Sequence, residues 1–275
     1  MKYLSTTVAF LIASAVAGTS QETLLEFDIG NLEFDPPGSL APSFTAPNVS
    51  GGDLSRQGVD HDPFFGDGEE NVAADSDGLY GAGEWPADSS ADAEKYFEFS
   101  LTPDENFSLT VDSLQLGLFT ENTQDVDPDD GSINEFLGPR LWDVSYSLDG
   151  FTTVGTVLDT LETPLPEDVP AGESRWAQYT FTLTDLAIVG TLGQTITFRV
   201  AGYDRPEGSD SRSYGGFSNA TGDAPSLGFP SSWEGQGANI TASGTVIPEP
   251  SQVAASIAGL AFLVTVLVRR LRRKA

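Results

Sequence analysis

The chain has 275 residues, enough for one large domain or two small ones, and a net charge of −28. Residues 21–247 carry 40 acidic against 7 basic residues. We expect so acidic a region to repel nucleic acid and anionic membranes, because binding phosphate requires clustered Lys and Arg. The absence of cysteine excludes disulfides, thiolate catalysis and Cys-based zinc sites. The single histidine, His61, lies in a stretch rich in Gly, Asp and Pro, so we interpret it as a loop residue rather than a catalytic one.

The first 17 residues have the three parts of a secretory signal peptide. Lys2 is followed by an apolar run from Val8 to Val16, and Ala15-Val16-Ala17 offers the small residues that a signal peptidase requires. The apolar run is too short for a membrane-spanning helix. We therefore predict that residues 1–17 are removed during export by the secretion machinery.

Apolar and polar residues alternate with period two through most of residues 18–247, which is typical of half-buried β-strands. No segment of this region has a helical period longer than about two turns. We therefore predict an all-β ectodomain, an antiparallel β-sandwich of the jelly-roll type. The predicted strands are Leu24–Ile29, Tyr96–Leu101, the run Phe107-Leu109-Val111, the shifted run Leu114-Leu116-Leu118, Trp142–Leu148, Phe151–Val154 after a turn at Asp149-Gly150, Tyr179–Leu183, Ile196–Val200 and Ala238–Val246.

Residues 30–92 interrupt this pattern. They are crowded with Gly, Pro, Asp and Ser, and we predict a long irregular segment that wraps the sandwich. Its aromatic residues either anchor the segment to the sandwich, which we favour, or line a sugar-binding face. They are Phe64, Phe65, Tyr80 and Trp85.

Residues 248–275 have three contiguous parts: Pro248-Glu249-Pro250, an uncharged stretch from Val253 to Val268, and a basic cluster. The 16 uncharged residues rise about 24 Å as a helix, so they cross roughly 30 Å of hydrocarbon only with help from Pro250-Ser251-Gln252 and some local thinning of the bilayer. The basic cluster stays in the cytoplasm by the positive-inside rule. The predicted membrane anchor is represented by Val253, Leu260, Val268, Arg269, Arg270, Arg272 and Arg273.

This three-part order resembles the PEP-CTERM sorting signal of bacterial exosortase substrates. The resemblance implies that an integral-membrane exosortase recognises Pro248, Glu249 and Pro250, while the helix anchors the precursor in the inner membrane. It further implies that the tail is removed near the motif and that the body passes to the cell surface, often alongside exopolysaccharide production. None of the tail residues is catalytic.

Asp125, Asp127 and Asp129 place carboxylates at alternate positions of a turn-forming segment, which suits calcium, a cation that takes several oxygen ligands. The segment departs from the EF-hand pattern, because Phe136 occupies the twelfth position, where a bidentate Glu is needed. A solvated acidic loop is the alternative. Residues 75–78, Asp-Ser-Asp-Gly, are a weaker version of the same pattern.

Motifs of known catalytic chemistry are missing. The Glu-x-Asp-x-x-Glu pattern of jelly-roll glycosidases does not occur, and neither do Gly-x-Ser-x-Gly, a phosphate-binding Gly-Lys pair or His-Glu-x-x-His. We therefore expect a non-enzymatic cell-surface or extracellular-matrix protein, with a carbohydrate-binding module as the alternative and a glycosidase third. Apart from calcium, the sequence suggests no cofactor.

Overall fold

The computed structural model describes residues 21–30, 39–59, 79–127, 129–206, 214–220, 231–249, 262–266 and 269. The described residues form two β-sheets, and the all-β prediction is confirmed. The signal peptide, His61, Phe64, Phe65 and residues 75–78 lie outside the described residues. The strands are β1 (Glu22–Phe27), β2 (Ser39–Leu40), β3 (Phe44–Thr45), β4 (Val49–Gln57), β5 (Leu79–Ala82), β6 (Tyr96–Pro103), β7 (Phe107–Val126), β8 (Ile133–Leu137), β9 (Leu141–Ser147), β10 (Thr156–Glu162), β11 (Glu173–Leu183), β12 (Ile188–Gly190), β13 (Ile196–Tyr203), β14 (Gly215–Ser218), β15 (Ser231–Gly235) and β16 (Ile240–Pro248).

Sheet 1 has the strand order β15-β11-β7-β16-β1-β3, and β5, β8, β12 and β14 join it beside this path. Sheet 2 has the order β10-β9-β13-β6-β4-β2. The pairs between described strands are antiparallel except β11 with β15, which is parallel. From β6 onward the chain passes repeatedly from one sheet to the other, so most neighbouring strands are distant in sequence.

The two sheets pack face to face around one apolar core. In β6 the inward residues Phe97, Phe99 and Leu101 are fully buried, while their neighbours are partly exposed, as the period-two pattern predicts. The ring of Phe27 in sheet 1 meets the ring of Phe99 in sheet 2 edge-on, with centroids 5.7 Å apart. Phe217 of sheet 1 similarly contacts Phe97, at 5.0 Å. These contacts join the sheets through aromatic burial.

Tyr80 and Trp85 belong to this core, so the predicted anchoring role is confirmed for both. Tyr80 is fully buried, and its hydroxyl donates to the carbonyl oxygen of Leu54 at 3.0 Å. Trp85 is 1% exposed, and its indole nitrogen donates to the carbonyl oxygen of Ala82 at 2.7 Å. Neither ring is available to stack on a sugar.

The prediction of an irregular segment over residues 30–92 is wrong where β2 to β5 lie. The longest of these strands, β4, pairs along β6 with a register shift between Gly52 and Ser55. Its sequence does not alternate, because Gly51 and Gly52 occupy positions at which a side chain would collide with that of Leu25 or Ser100, respectively. The neighbouring strand therefore determines β4, and local hydrophobicity does not.

The two offset alternation runs on either side of Asp112 form one strand, β7, of 20 residues. In its pairing with β16, Ser113 faces Ser243 and Val111 faces Gly244, so Asp112 has no residue opposite it. Such a β-bulge inserts one residue and exchanges the two faces of the strand beyond it. The shift in the sequence pattern therefore marks the bulge.

The predicted turn at Asp149-Gly150 is wider than expected. Strands β9 and β10 do form an antiparallel hairpin, but they are separated by residues 148–155, and Phe151–Val154 is not a strand. The Asp149 carboxylate accepts hydrogen bonds from Ser147 and from the backbone and hydroxyl of Thr153. These bonds organise a wide loop, in which Gly150 and Phe151 both have positive φ.

The described part of the C-terminal tail is short. Residues 262–266 and 269 are helical, and Phe262 and Leu263 are exposed. Among the described residues there is no helix with both the length and the apolar character that crossing a membrane requires. The predicted anchor residues Val253, Leu260, Val268, Arg270, Arg272 and Arg273 and the motif residue Pro250 lie outside the described residues.

Candidate functional site

The last strand of sheet 1 leads directly into the predicted sorting motif. Pro248 is the final residue of β16 and lies opposite Phe107, the first residue of β7. The backbone N–H of Glu249 donates to the carbonyl oxygen of Asn106 at 2.9 Å, one residue beyond the strand. The motif therefore begins as part of the folded body. Pro248 thus lies within a regular β-ladder, although proline has no backbone N–H to donate.

Pro248 fits this position because of the alternation of antiparallel pairs. Since Glu249 and Asn106 form a hydrogen-bonded pair, the adjacent pair of Pro248 and Phe107 is of the non-hydrogen-bonded kind. A residue at such a position directs no N–H toward its partner strand, so the missing N–H of proline costs no bond to β7. Pro248 is extended and exposed.

The acidic loop that follows β7 does not form a metal-binding cluster. Asp125 is part of β7 and pairs with Asn134 of β8. One carboxylate oxygen of Asp127 accepts the backbone N–H of Asp129 at 2.8 Å, so this group stabilises its own turn. Within the described ranges, no three acidic or histidine side chains converge as metal ligands. The prediction that Asp125, Asp127 and Asp129 share a calcium ion gains no support from this geometry.

Besides the core between the sheets, a smaller cluster of buried aromatic residues lies on the outer face of sheet 1. We call it the outer aromatic cluster: Phe119 and Trp176, with Leu79, Tyr214 and Trp233 packed against them. The rings of Phe119 and Trp176 are 5.6 Å apart between centroids, and those of Trp176 and Trp233 are 5.8 Å apart. Trp176 of β11 lies between Glu121 of β7 and Trp233 of β15 in the ladder.

Glu121 has no exposed surface at the edge of this cluster. One carboxyl oxygen accepts the hydroxyl of Thr123 at 2.6 Å, and the other accepts the backbone N–H of Tyr214 at 3.0 Å. Burial raises the pKa of Glu121 to about 8, although both hydrogen bonds act in the opposite direction. The side chain is therefore mostly protonated at neutral pH. Because it is fully enclosed, it offers no surface to a substrate.

Sequence reasoning missed Glu121, although a signal was present. Beyond Leu118 the alternation continues on the opposite face of β7 through Phe119, Glu121 and Thr123. A glutamate in this series reads as a solvated residue, since Glu is almost never buried without a partner. Only the neighbouring strands β11 and β14 reveal that the outer face is covered at this point.

On sheet 2, Arg199 fastens the β9–β10 loop to the outer face. Its guanidinium group lies 3.8 Å from the ring centroid of Tyr96 and 4.0 Å from that of Phe151, and it forms an ion pair with Glu98 at 2.7 Å. The loop borders a groove of about 280 Å³. The groove is lined by Tyr146, Ser147, Leu148, Asp149, Thr153, Val154, Gly155, Thr156 and Gln194.

Comparisons with known proteins do not identify the chain. No protein-family model matches it, and no curated protein shows significant sequence similarity to it.

Proposed function

We propose that the chain is an exported bacterial protein of the cell surface or extracellular matrix, non-enzymatic, and sorted through a C-terminal signal of the PEP-CTERM type. One observation carries the proposal: β16 is the last strand of the described residues, and the predicted sorting motif begins at the last residue of that strand. A body whose last described strand ends at the start of the motif can keep both sheets when the residues after the motif are removed. The predicted signal peptide supports export.

We infer that the fold is a jelly roll. The order β1-β16-β7-β11 in sheet 1 faces the order β6-β13-β9-β10 in sheet 2. Two four-stranded sheets whose successive strands change sheets are typical of this architecture, which consists of two Greek keys. The remaining strands extend the edges of the two sheets.

The proposed route has three stages. The signal peptide directs the chain to the secretion machinery and is removed. The apolar stretch from Val253 to Val268 then holds the precursor in the inner membrane, with the basic cluster in the cytoplasm. An exosortase-type enzyme finally removes the tail near Pro248-Glu249-Pro250 and passes the body outward, in the vicinity of exopolysaccharide.

The test replaces Pro248, Glu249 and Pro250 with Ala in an exosortase-bearing bacterium. Export and membrane insertion should be unaffected, because neither the leader nor the apolar stretch changes, whereas the uncut precursor should accumulate in the inner membrane. Mass spectrometry of the C-terminal peptide measures the outcome for both forms. An intact Arg-rich C-terminus on wild-type protein at the cell surface would show that the tail is a permanent anchor.

A further inference from the structure

Strand β16 consists of two parts that are held in different ways. Residues Thr241 to Gly244 pair with both β7 and β1, and Ile240 pairs with β1; three of these five residues are buried. The pairing of β16 with β1 ends at Gly244, which lies opposite Glu22. From Thr245 onward, the described ladder pairs β16 with β7. The bulge at Asp112, between the pairs of Ser243 and Gly244, lies next to the boundary of the two parts. We call residues 245–249 the terminal segment.

The terminal segment is the part of β16 that can separate from β7 most easily. Ile247 is 43% exposed and Pro248 is exposed, so the partly buried Val246 is the residue of the segment that packs against the core and loses this contact on separation. Local opening of a protein has a low free energy where few buried apolar contacts hold the backbone. The bulge also interrupts the ladder, so opening can stop there and leave the buried part of β16 in place.

The same segment carries the start of the sorting motif. Pro248 and Glu249 are held against Phe107 and Asn106 by strand pairing, and Pro250 to Gln252 are the only residues between Glu249 and the predicted membrane stretch at Val253. An enzyme that processes an extended peptide must accommodate the backbone of the motif in its own binding site. The edge that faces β7 is occupied as long as the terminal segment is paired.

We propose that strand pairing restrains the sorting motif, and that the terminal segment must separate from β7 up to the bulge before the processing enzyme can act. This inference rests on the proposed function and adds a regulatory step to it. The processing rate then scales with the fraction of molecules in which the segment is open. A folded body therefore supplies its motif slowly, whereas a body that fails to form the β7–β16 ladder exposes it at once.

The experiment uses the full chain with Ser108→Cys and Ile247→Cys, two residues that face each other across the ladder. Facing residues of a hydrogen-bonded antiparallel pair have Cα atoms roughly 5.5 Å apart, which a disulfide can bridge. The chain has no other cysteine, so the product is unambiguous. Pulse-chase labelling with mass spectrometry of the C-terminal peptide measures processing in exosortase-bearing cells, with and without reductant.

The oxidised double variant should be processed at least roughly tenfold more slowly than the wild type, and reductant should restore the rate. Each single cysteine variant should behave as the wild type. A matched control adds eight Gly and Ser residues between Ile247 and Pro248 of the double variant. Its motif then lies beyond the disulfide, so processing should proceed even when the variant is oxidised.

Two results would overturn the inference: processing of the oxidised double variant at the wild-type rate, or a spacer variant that is as slow as the double variant without the spacer. In the first case pairing does not restrain the motif, and in the second the disulfide acts by another route. A wild-type precursor that is never processed would instead overturn the proposed function, and this inference with it.

Discussion

Glu121 lies on the outer face of sheet 1, yet its carboxyl group is completely enclosed. Because burial raises its pKa from an ordinary 4.5 to about 8, the folded chain holds a proton that the unfolded chain releases over this range. The contribution to stability is fully present below the unfolded value and is lost as the pH rises through the folded value. The folded state therefore becomes less stable between about pH 4.5 and pH 8 through this group.

Replacing Glu121 with Gln should remove this pH dependence, because the amide keeps the shape of the protonated acid and cannot ionise. We expect the variant to gain stability relative to the wild type as the pH rises, by a few kcal/mol at pH 9 and little at pH 5. Urea unfolding at both pH values measures the difference. Glu135→Gln, at an exposed position of β8, is the control and should show no such trend. A constant difference between Glu121→Gln and wild type across the pH range would contradict this account.

Arg199 is a charged residue that holds a loop in place through contacts with aromatic rings. Its planar guanidinium lies near the rings of both Tyr96 and Phe151, so one side chain attaches a wide loop to sheet 2. Phe151 has a positive φ, a conformation that side chains other than Gly rarely adopt, and the contact with Arg199 offsets that strain. The sequence predicted a strand here because Asp149-Gly150 is typical of a tight hairpin turn.

At the scale of elements, β7 is long enough to pair with several other strands. The N-terminal half of β7 pairs with β16, and its C-terminal half pairs with β8 and β14 on the same side. Gly244 faces Val111 at the bulge, and a β-carbon at this position would overlap the carbonyl oxygen of Thr110. The close approach of two backbones therefore requires glycine here.

Gly244→Ala should destabilise the body by roughly 2 kcal/mol or more, since the added methyl group must displace the backbone of β7. The midpoint of urea unfolding measures this effect. Ser243→Ala, at the adjacent and partly exposed position, is the matched control and should change the free energy of unfolding by less than about 0.5 kcal/mol. Equal midpoints for the two variants would mean that β7 yields at the bulge without cost.

At the scale of the whole molecule, the net negative charge lowers the stability of the folded state. Residues 21–247 have 40 acidic against 7 basic residues, while the described ion pairs, such as Arg199 with Glu98, neutralise few of them. Like charges on a compact body repel one another, and salt screens this repulsion, since the Debye length falls from about 10 Å at 0.1 M to 3 Å at 1 M. The folded body should therefore be more stable at high ionic strength.

We expect the thermal midpoint of the purified body, residues 18–249, to rise between 0.05 and 1 M KCl, by roughly 2–4 °C for each kcal/mol of repulsion that is screened. Differential scanning calorimetry measures the change. A variant with Asp159→Asn and Glu162→Gln, both exposed on the edge strand β10, should have a higher midpoint at low salt and a smaller increase. A midpoint that does not depend on salt in either protein would exclude charge repulsion as a significant term.

The sequence by itself determined the all-β class, the inward faces of the long strands and the offset within β7. It could do so because the alternation of apolar and polar side chains is a local property of an extended chain beside a core. The sequence also predicted that Tyr80 and Trp85 anchor their segment to the sandwich, since large aromatic residues gain most from burial. The sorting motif at Pro248 stays a prediction, which rests on the three-part order of the C-terminal tail.

Only the tertiary structure decided which strands are neighbours and therefore which polar groups are buried. Glu121 is enclosed because Trp176 of β11, 55 residues further along the chain, and Tyr214 come together over the outer face of β7. The acidic loop bonds to its own backbone, although its spacing suited calcium. The position of Pro248, in the predicted sorting motif, within the β7–β16 ladder likewise depends on residues far apart in sequence. A pattern along the chain specifies which side of a strand is apolar, whereas the environment of each polar group is specified by contacts that form only when the sheets assemble.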